Sequence, residues 1–177
     1  MIRLQEIRDA AQLRRAFASF PSGVAAVCAR VSRVPVGMAA SSFTSVSVDP
    51  PLVSVCIQKT SSTWPQLKTH ARLGLSVLGE DHDQVCRQLA SKVGDRFADV
   101  EWDAGPQGSL FIRGSSAWME VSLYEEVPAG DHVIALLEVH GLEISERTNP
   151  LIFHGSAFHR MVDTRPAPVE DLMHGRC

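Results

Sequence analysis

The sequence lacks the short motifs that mark the common nucleotide-binding, hydrolytic and metal sites. None of its 12 glycines forms a G-x-G-x-x-G or G-x-x-x-x-G-K pattern, which argues against a Rossmann or P-loop nucleotide site. It has no G-x-S-x-G turn, which carries the serine of many hydrolases, and no H-E-x-x-H zinc motif. Its seven histidines are too dispersed to predict a metal site. We therefore expect no metal centre.

Cysteine is scarce, and its spacing predicts neither a zinc site nor a disulfide framework. The four cysteines include no C-x-x-C pair. The one close pair of ligand types, His82 and Cys86, has no further ligands at zinc-site spacing. Cys28, Cys56 and Cys86 lie in or beside apolar runs, where a reduced cysteine behaves as a small hydrophobic residue. We expect no structural disulfide, and we expect Cys177 to be an exposed thiol.

The chain has no strong charge excess and no long apolar run. Its 17 Lys and Arg residues are scattered and the formal net charge is −3, so no nucleic-acid partner is expected. No apolar run reaches the roughly 18 residues that a membrane-spanning helix needs, and the N-terminus has no signal-peptide pattern. We therefore expect a cytoplasmic protein with no membrane partner. With 177 residues, 45% of them hydrophobic, the chain is long enough for one domain with a buried core.

The hydrophobic periodicity predicts many short strands and few helices. Helices are expected over residues 7–20, from the Ser61–Thr63 cluster to about His70, and over residues 81–91. Strands are expected at residues 24–31, 52–57, 72–78, 110–113, 117–124 and 133–144, with a last pair within 151–161. Because strands follow one another through short connections, an antiparallel barrel with two or three helices outside fits better than a parallel doubly wound sheet. Residues 1–162 are predicted to form the domain, and residues 163–177 a loosely ordered tail.

Residues 37–63 combine features that suit a flat, anionic ligand. Two segments rich in Ser and Thr flank the apolar run 52–57, and a sharp turn is predicted at Asp49-Pro50-Pro51. Small residues let a flat ligand approach the backbone, while hydroxyls, backbone N–H groups and Lys59 suit a phosphate. The alternative is an ordinary sheet whose hydroxyls face water and a Ser/Thr cluster that only caps the following helix. These residues alone leave both readings open.

Five separated motifs occur in one order and together resemble the short-chain flavin reductase family. They are F-P-S-G-V at 20–24, G-M-A-A-S-S-F-T-S-V-S-V-D-P-P at 37–51, D-R-F at 95–97, G-D-H at 130–132 and P-L-I-F-H-G at 150–155. The resemblance spans roughly residues 17–161. It implies a mainly β (α+β) fold, an antiparallel split β-barrel that binds FMN, and a homodimer.

The resemblance also implies which residues form the site. The residues expected along the flavin rings and ribityl chain are Met38, Ala39, Ala40, Ser41, Ser42, Ser45, Val46 and Ser47. Those expected at the phosphate end are Cys56, Ile57, Gln58, Lys59, Ser61, Ser62 and Thr63, with Arg96 and Phe97 completing the flavin site. His132 is expected to position the nicotinamide as the catalytic residue, beside Phe153 and His154. The family often has Thr where this chain has Ala39.

The implied activity is that of an NAD(P)H:flavin oxidoreductase. Hydride passes from NADH or NADPH to FMN or FAD, and the reduced flavin supplies a partner monooxygenase. Such a transfer requires the protein mainly to orient two rings, which agrees with the absence of catalytic motifs. Two alternatives remain: a flavoprotein of the same fold that reduces another acceptor, and a non-enzymatic flavin- or haem-binding module. For His132 itself the alternative is a strand-entry histidine bonded to Asp131.

Overall fold

The computed structural model describes residues 2, 4 and 6–162 of the chain. Within them the helices are α1 (Ala10–Phe17), α2 (Trp64–Leu67) and α3 (Asp83–Ala90). The strands are β1 (Ser22–Gly23), β2 (Ala25–Val31), β3 (Val34–Ala40), β4 (Thr44–Val48), β5 (Pro51–Gln58), β6 (Leu73–Val77), β7 (Trp102–Ala104), β8 (Leu110–Ile112), β9 (Ala117–Ala129), β10 (His132–Ile144), β11 (Ile152–His154) and β12 (Ala157–His159). The tail expected at residues 163–177 lies outside the described residues.

The strands form antiparallel sheets. Seven of them make the main sheet in the order β3-β2-β6-β9-β10-β5-β4, while β1, β11 and β12 form a three-stranded sheet and β7 pairs with β8. The mainly β, antiparallel architecture with few helices that the sequence predicts is therefore confirmed. In the described part of the chain, no backbone pairing joins the two outer strands β3 and β4 into a closed ring.

Strand β2 lies between two hydrophobic cores. Ala25, Val27 and Ala29 belong to one buried cluster, and Ala26 and Cys28 belong to the other. Successive side chains of a strand point to opposite faces of its sheet, so these two sets pack on opposite sides of β2. This double burial explains why residues 24–29 form a continuous apolar run with no polar alternation.

The helices are shorter than their sequence patterns predict. Helix α1 begins after Asp9, whose Oδ1 accepts a hydrogen bond from the backbone N of Gln12 at 2.7 Å, rather than at Ile7. It ends at Phe17, which is 69% exposed. Helix α2 is a single turn that ends at Leu67 instead of His70. Among residues 2, 4 and 6–162, no helix is both long enough and apolar enough to cross a membrane.

The hairpin of β9 and β10 positions the first residue of β10. The sequence pattern places the end of β9 at Tyr124 and a turn at residues 128–130, but β9 continues to Ala129. Ala129 pairs with His132, so the turn consists of Gly130 and Asp131 alone. Gly130 has a positive φ of 61°, the left-handed conformation that short hairpin turns require and that glycine adopts without strain. His132 therefore begins a strand at a tight turn.

Candidate functional site

A cavity of about 590 Å³ lies beside the outer strand β3, the end of β5 and the segment before α2. It collects side chains from five separate parts of the chain. Its lining residues are Met38, Ala39, Ala40, Ser41, Ser42, Cys56, Ile57, Gln58, Thr60, Ser61, Ser62, Thr63, Leu89, Ala90, Lys92, Arg96 and His132. Most of the residues that the sequence assigns to a flavin and nicotinamide site are thus brought together around one cavity.

Small residues form the wall that β3 contributes. Ala39 and Ala40 end the strand, and Gly37 precedes them in close contact with the layer below. A Cβ atom at Gly37 would overlap the Cys28 side chain and lie 2.9 Å from the Phe97 ring. Glycine is therefore required for β3 to lie this close to its neighbours. The resulting wall presents backbone and methyl groups, against which a flat ring system can lie.

The Ser42 hydroxyl fastens the connection between β3 and β4 to strand β5. Its Oγ accepts a hydrogen bond from the backbone N of Cys56 at 2.9 Å and donates one to the Cys56 carbonyl at 3.1 Å. One side chain therefore occupies both backbone groups of a β5 residue. The Cys56 thiol is free and exposed at the cavity. In contrast, burial raises the pKa of the Cys28 thiol to about 12.

The cavity lining includes a cluster of hydroxyls, with the Arg96 guanidinium bonded to one of them, and a second cation. Nη1 of Arg96 donates to Oγ1 of Thr63 at 2.7 Å and to the carbonyl of Gly37 at 3.2 Å. Because both bonds use one nitrogen, the rest of the guanidinium remains able to bind an anion. The Ser61 hydroxyl accepts a hydrogen bond from the backbone N of Trp64, the first residue of α2, at 3.2 Å. Lys92 adds the second cation to the lining.

His132 lies in the cavity wall with one ring nitrogen already bound. Its Nδ1 lies 2.7 Å from Oδ1 of Asp131, and its side chain is 34% exposed. The contact with His132 is the largest cause that holds the pKa of the Asp131 carboxyl below its ordinary value. The bond to Asp131 fixes the ring orientation and leaves Nε2 for a ligand. The structure thus shows the alternative reading, a strand-entry histidine bonded to Asp131, while the nicotinamide role of His132 stays a prediction.

Seven predicted site residues do not line this cavity. Ser45, Val46 and Ser47 lie on the outer strand β4. Lys59 extends to the β9–β10 turn, where its Nζ donates to the carbonyl of Gly130 at 2.7 Å. The remaining three lie elsewhere in the fold: Phe97 is buried in a core cluster, while Phe153 and His154 lie on β11 in the three-stranded sheet.

The structure adds four lining residues that the sequence does not single out: Thr60, Leu89, Ala90 and Lys92. Thr60 lies inside the hydroxyl cluster, so the same compositional signal could have included it. Leu89 and Ala90 come from the end of α3, whose packing beside β3 only the tertiary structure reveals. Lys92 lies three residues before Asp95, the start of the D-R-F motif, and this closeness is the one signal that could have identified it.

Comparison with known proteins identifies the family to which the chain is related. A flavin reductase like domain matches residues 17–161. The chain is 38% identical to the actinorhodin polyketide dimerase of Streptomyces coelicolor over 146 residues, which are 82% of each protein. It is 32% identical over 168 residues to HsaB of Rhodococcus jostii, the reductase subunit of a flavin-dependent monooxygenase, covering 94% of this chain and 86% of HsaB.

A solved structure agrees with the sequence relatives. The NADH:FAD oxidoreductase SgcE6 of Streptomyces globisporus C-1027, in complex with NAD and FAD fragments, superposes with a TM-score of 0.86 at 34% identity. The match covers 93% of this chain and 100% of that one. The family match covers the β-sheets and the cavity described above. The chain therefore belongs to the flavin reductase like domain family.

Proposed function

We propose that this protein is an NAD(P)H-dependent flavin reductase that transfers hydride from the nicotinamide to FMN or FAD. The observation that carries the proposal is the cavity itself, in which a wall of small residues, a cationic end and His132 meet. The names of the monooxygenase reductase subunit and of the NADH:FAD oxidoreductase support it. The nicotinamide roles of Phe153 and His154 remain predictions from the resemblance.

The residues of the cavity fit the chemical character of a flavin. Its flat, largely apolar ring system suits the wall formed by Met38, Ala39 and Ala40. Its phosphate suits the lining cations Arg96 and Lys92, because charged donors form the strongest hydrogen bonds to phosphate oxygens. The N-terminus of α2 can contribute little to phosphate binding, since α2 is only one turn long. Side chains therefore dominate the proposed anion site.

The chemistry requires orientation more than acid or base catalysis. When bound, the flavin supplies the ring that accepts the hydride. Strand β3 is an outer strand, so its unpaired edge can offer backbone groups to the polar side of that ring. His132, held at Nδ1 by Asp131, offers Nε2 to the nicotinamide amide. Holding two rings in contact in this way supplies most of the effective concentration that direct transfer needs.

We also propose how the seven-stranded main sheet closes on itself. The outer strands β3 and β4 are joined by Ser41, Ser42 and Phe43 alone. The Ser42 hydroxyl bonds the backbone of Cys56 on β5, which brings the β3 end of the sheet against the opposite end. We propose that this curled seven-stranded sheet is the split β-barrel that the resemblance implies.

The proposed assembly is a homodimer that works in the cytoplasm, where NADH and NADPH are formed. Apolar side chains on the outer strand β4 and on the β10 end support the dimer: Val48 is 92% exposed, and Leu142 and Ile144 are each 67% exposed. Such exposed residues, on two strands of one sheet that flank β5, are typical of a surface that a second subunit covers. The described cysteines Cys28, Cys56 and Cys86 are free thiols, which suits a reducing compartment.

The proposed partner is a separate flavin-dependent monooxygenase that uses the reduced flavin, as the name of HsaB suggests. A second candidate is a flavoprotein that keeps its FMN and reduces another acceptor. The polyketide dimerase among the relatives favours keeping this candidate, because its name describes a different reaction. The third candidate, a non-enzymatic flavin- or haem-binding module, is not favoured by any of the three relatives.

A steady-state assay tests the proposal. Purified protein is assayed with NADH or NADPH against FMN, FAD and riboflavin, and nicotinamide oxidation is followed by absorbance. The proposal predicts colourless protein whose NAD(P)H oxidation depends on added flavin. Yellow protein that retains its flavin would favour the second candidate. Bound flavin without any NAD(P)H oxidation would contradict the proposal and leave only a binding function.

A further inference from the structure

Lys59 bonds to both residues of the turn that precedes His132. Its Nζ donates a hydrogen bond to the carbonyl of Gly130 at 2.7 Å. Its backbone N donates to the carbonyl of Asp131 at 3.0 Å. These two residues are the whole turn between β9 and β10. One lysine at the end of β5 therefore secures the complete hairpin turn.

The position of the His132 imidazole depends on this turn. The ring is held at Nδ1 by Oδ1 of Asp131 at 2.7 Å. The Asp131 side chain is 91% exposed, so little packing restrains it. The backbone of the turn is thus the main structure that places the carboxylate and, through it, the imidazole. The hydrogen bond with His132 is the main cause of the lowered pKa of Asp131, and the positive charge of Lys59 is a smaller one.

A phosphate-binding role for Lys59 has less support. Lys59 does not line the cavity, whereas Arg96 and Lys92 do. Its ammonium already has the Gly130 carbonyl as a partner. A lysine that reached towards a phosphate in the cavity would have to give up this bond. The observed contacts join Lys59 to the turn before His132, not to the cationic end of the cavity at Arg96.

We propose that Lys59 is a positioning residue for hydride transfer: its ammonium holds the Gly130–Asp131 turn so that His132 faces the nicotinamide. This inference rests on the proposed function. It assigns Lys59 to nicotinamide binding instead of the flavin phosphate site that the sequence predicts. It also requires that the long side chain act through hydrogen bonding and not through charge alone.

The test compares Lys59→Met with Lys59→Arg, and uses Lys68→Met as the matched control. Lys68 pairs with Glu126 and does not line the cavity. Because Lys59→Met removes a hydrogen bond from a charged group, it should raise the KM for NADH by about tenfold. The Kd for FMN should stay within roughly twofold of the parent value. Lys59→Arg should restore the KM largely, because Arg also donates to the carbonyl. Lys68→Met should leave both constants unchanged.

Hydrogen exchange and a double mutant complete the test. In Lys59→Met without any ligand, the amides of residues 129–132 should exchange faster than in the parent protein and in Lys59→Arg. If Lys59 acts through His132, then Lys59→Met combined with His132→Ala should have the KM of His132→Ala alone, since effects through one group do not add. An increase in the FMN Kd with an unchanged KM for NADH would overturn the proposal, as would unchanged hairpin exchange. If the parent protein oxidises no NAD(P)H, the proposed function fails separately, because the exchange measurement still reports on the turn.

Discussion

Nη1 of Arg96 donates a hydrogen bond to Oγ1 of Thr63 at 2.7 Å. Arg96 belongs to the D-R-F motif after α3, and Thr63 is the residue immediately before α2. The bond joins two segments that lie 33 residues apart in the chain. It brings a guanidinium to the end of the cavity where the hydroxyl cluster lies. A predicted phosphate site thus has its charge and its hydroxyls in direct contact.

Arg96 should contribute more to binding FMN than to binding riboflavin, which lacks the phosphate. Arg96→Met is expected to raise the FMN Kd by about tenfold or more, since hydrogen bonds to charged groups contribute roughly 1.5–3 kcal/mol. Fluorescence titration measures both affinities. The control is Arg113→Met, because Arg113 pairs with Asp103 outside the cavity. Equal losses for FMN and riboflavin would show that Arg96 only supports the fold.

His132 should affect nicotinamide binding and turnover more than flavin binding. His132→Ala is expected to lower kcat/KM for NADH by about tenfold or more, because it removes a positioning contact to the reacting ring. The FMN Kd should change little. His140→Ala is the matched control, since His140 bonds Ser122 and does not line the cavity. A parent-like kcat/KM in His132→Ala would remove His132 from the mechanism.

Bound flavin should protect Cys56 from alkylation. Cys56 is exposed at the cavity, whereas Cys28 and Cys86 are buried and their pKa values are raised to about 12 and about 11. Iodoacetamide should therefore modify Cys56 but leave the two buried thiols nearly unmodified at pH 8. Peptide mass spectrometry follows each site. Saturating FMN should slow the Cys56 reaction in proportion to occupancy, and an unchanged rate would place the flavin elsewhere.

Glu126 should make the stability of the fold depend on pH. Its carboxylate accepts hydrogen bonds from Lys68 Nζ and from Trp64 Nε1, each at 2.7 Å. These bonds, the one from Lys68 first, lower the pKa of Glu126. A lowered carboxyl pKa stabilises the fold above the unfolded pKa, about 4.3, and that contribution is lost as pH falls through the folded pKa.

The corresponding measurement is urea unfolding of Glu126→Gln against the parent protein. The variant should be less stable by about 1 kcal/mol from pH 8 to about pH 5, a typical value for a partly exposed, hydrogen-bonded pair. The difference should shrink steadily below pH 4. The exposed residue Glu146 provides the control through Glu146→Gln. A difference that is constant down to pH 3 would show that the carboxylate charge is not involved.

The sequence predicts the strands of this fold better than its helices. Apolar runs such as residues 24–29 are buried on both faces, so their hydrophobicity alone reveals them. In contrast, α1 presents an apolar stripe, but its residues Leu13 and Phe17 are not buried in the described part of the chain. Its periodicity predicts a core contact that residues 2, 4 and 6–162 do not provide. The end of β9 was missed because Pro128 and Gly130 resemble a turn, while only Gly130 belongs to one.

The site is predictable to the extent that it is continuous in sequence. Residues 38–42 and 61–63 line the cavity as the motifs indicate, because each segment forms one stretch of wall. The sequence does not assign Lys92 to the site, because its approach to the cavity depends on how the loop after α3 folds back. The sequence also does not show where the Lys59 side chain extends. A lysine between the hydroxyl cluster and the β9–β10 hairpin can reach either of them. Only the register of β5 against β10, with Gln58 opposite His132, places it beside Gly130.

The most direct test of the account is a crystal structure of this protein grown with FMN. The account predicts ring density along Met38–Ser42 with His132 at its border, and phosphate density within hydrogen-bond distance of Arg96 and the hydroxyls of Ser62 or Thr63. Density for FMN at any other place on the protein, with side chains filling this cavity, would contradict it.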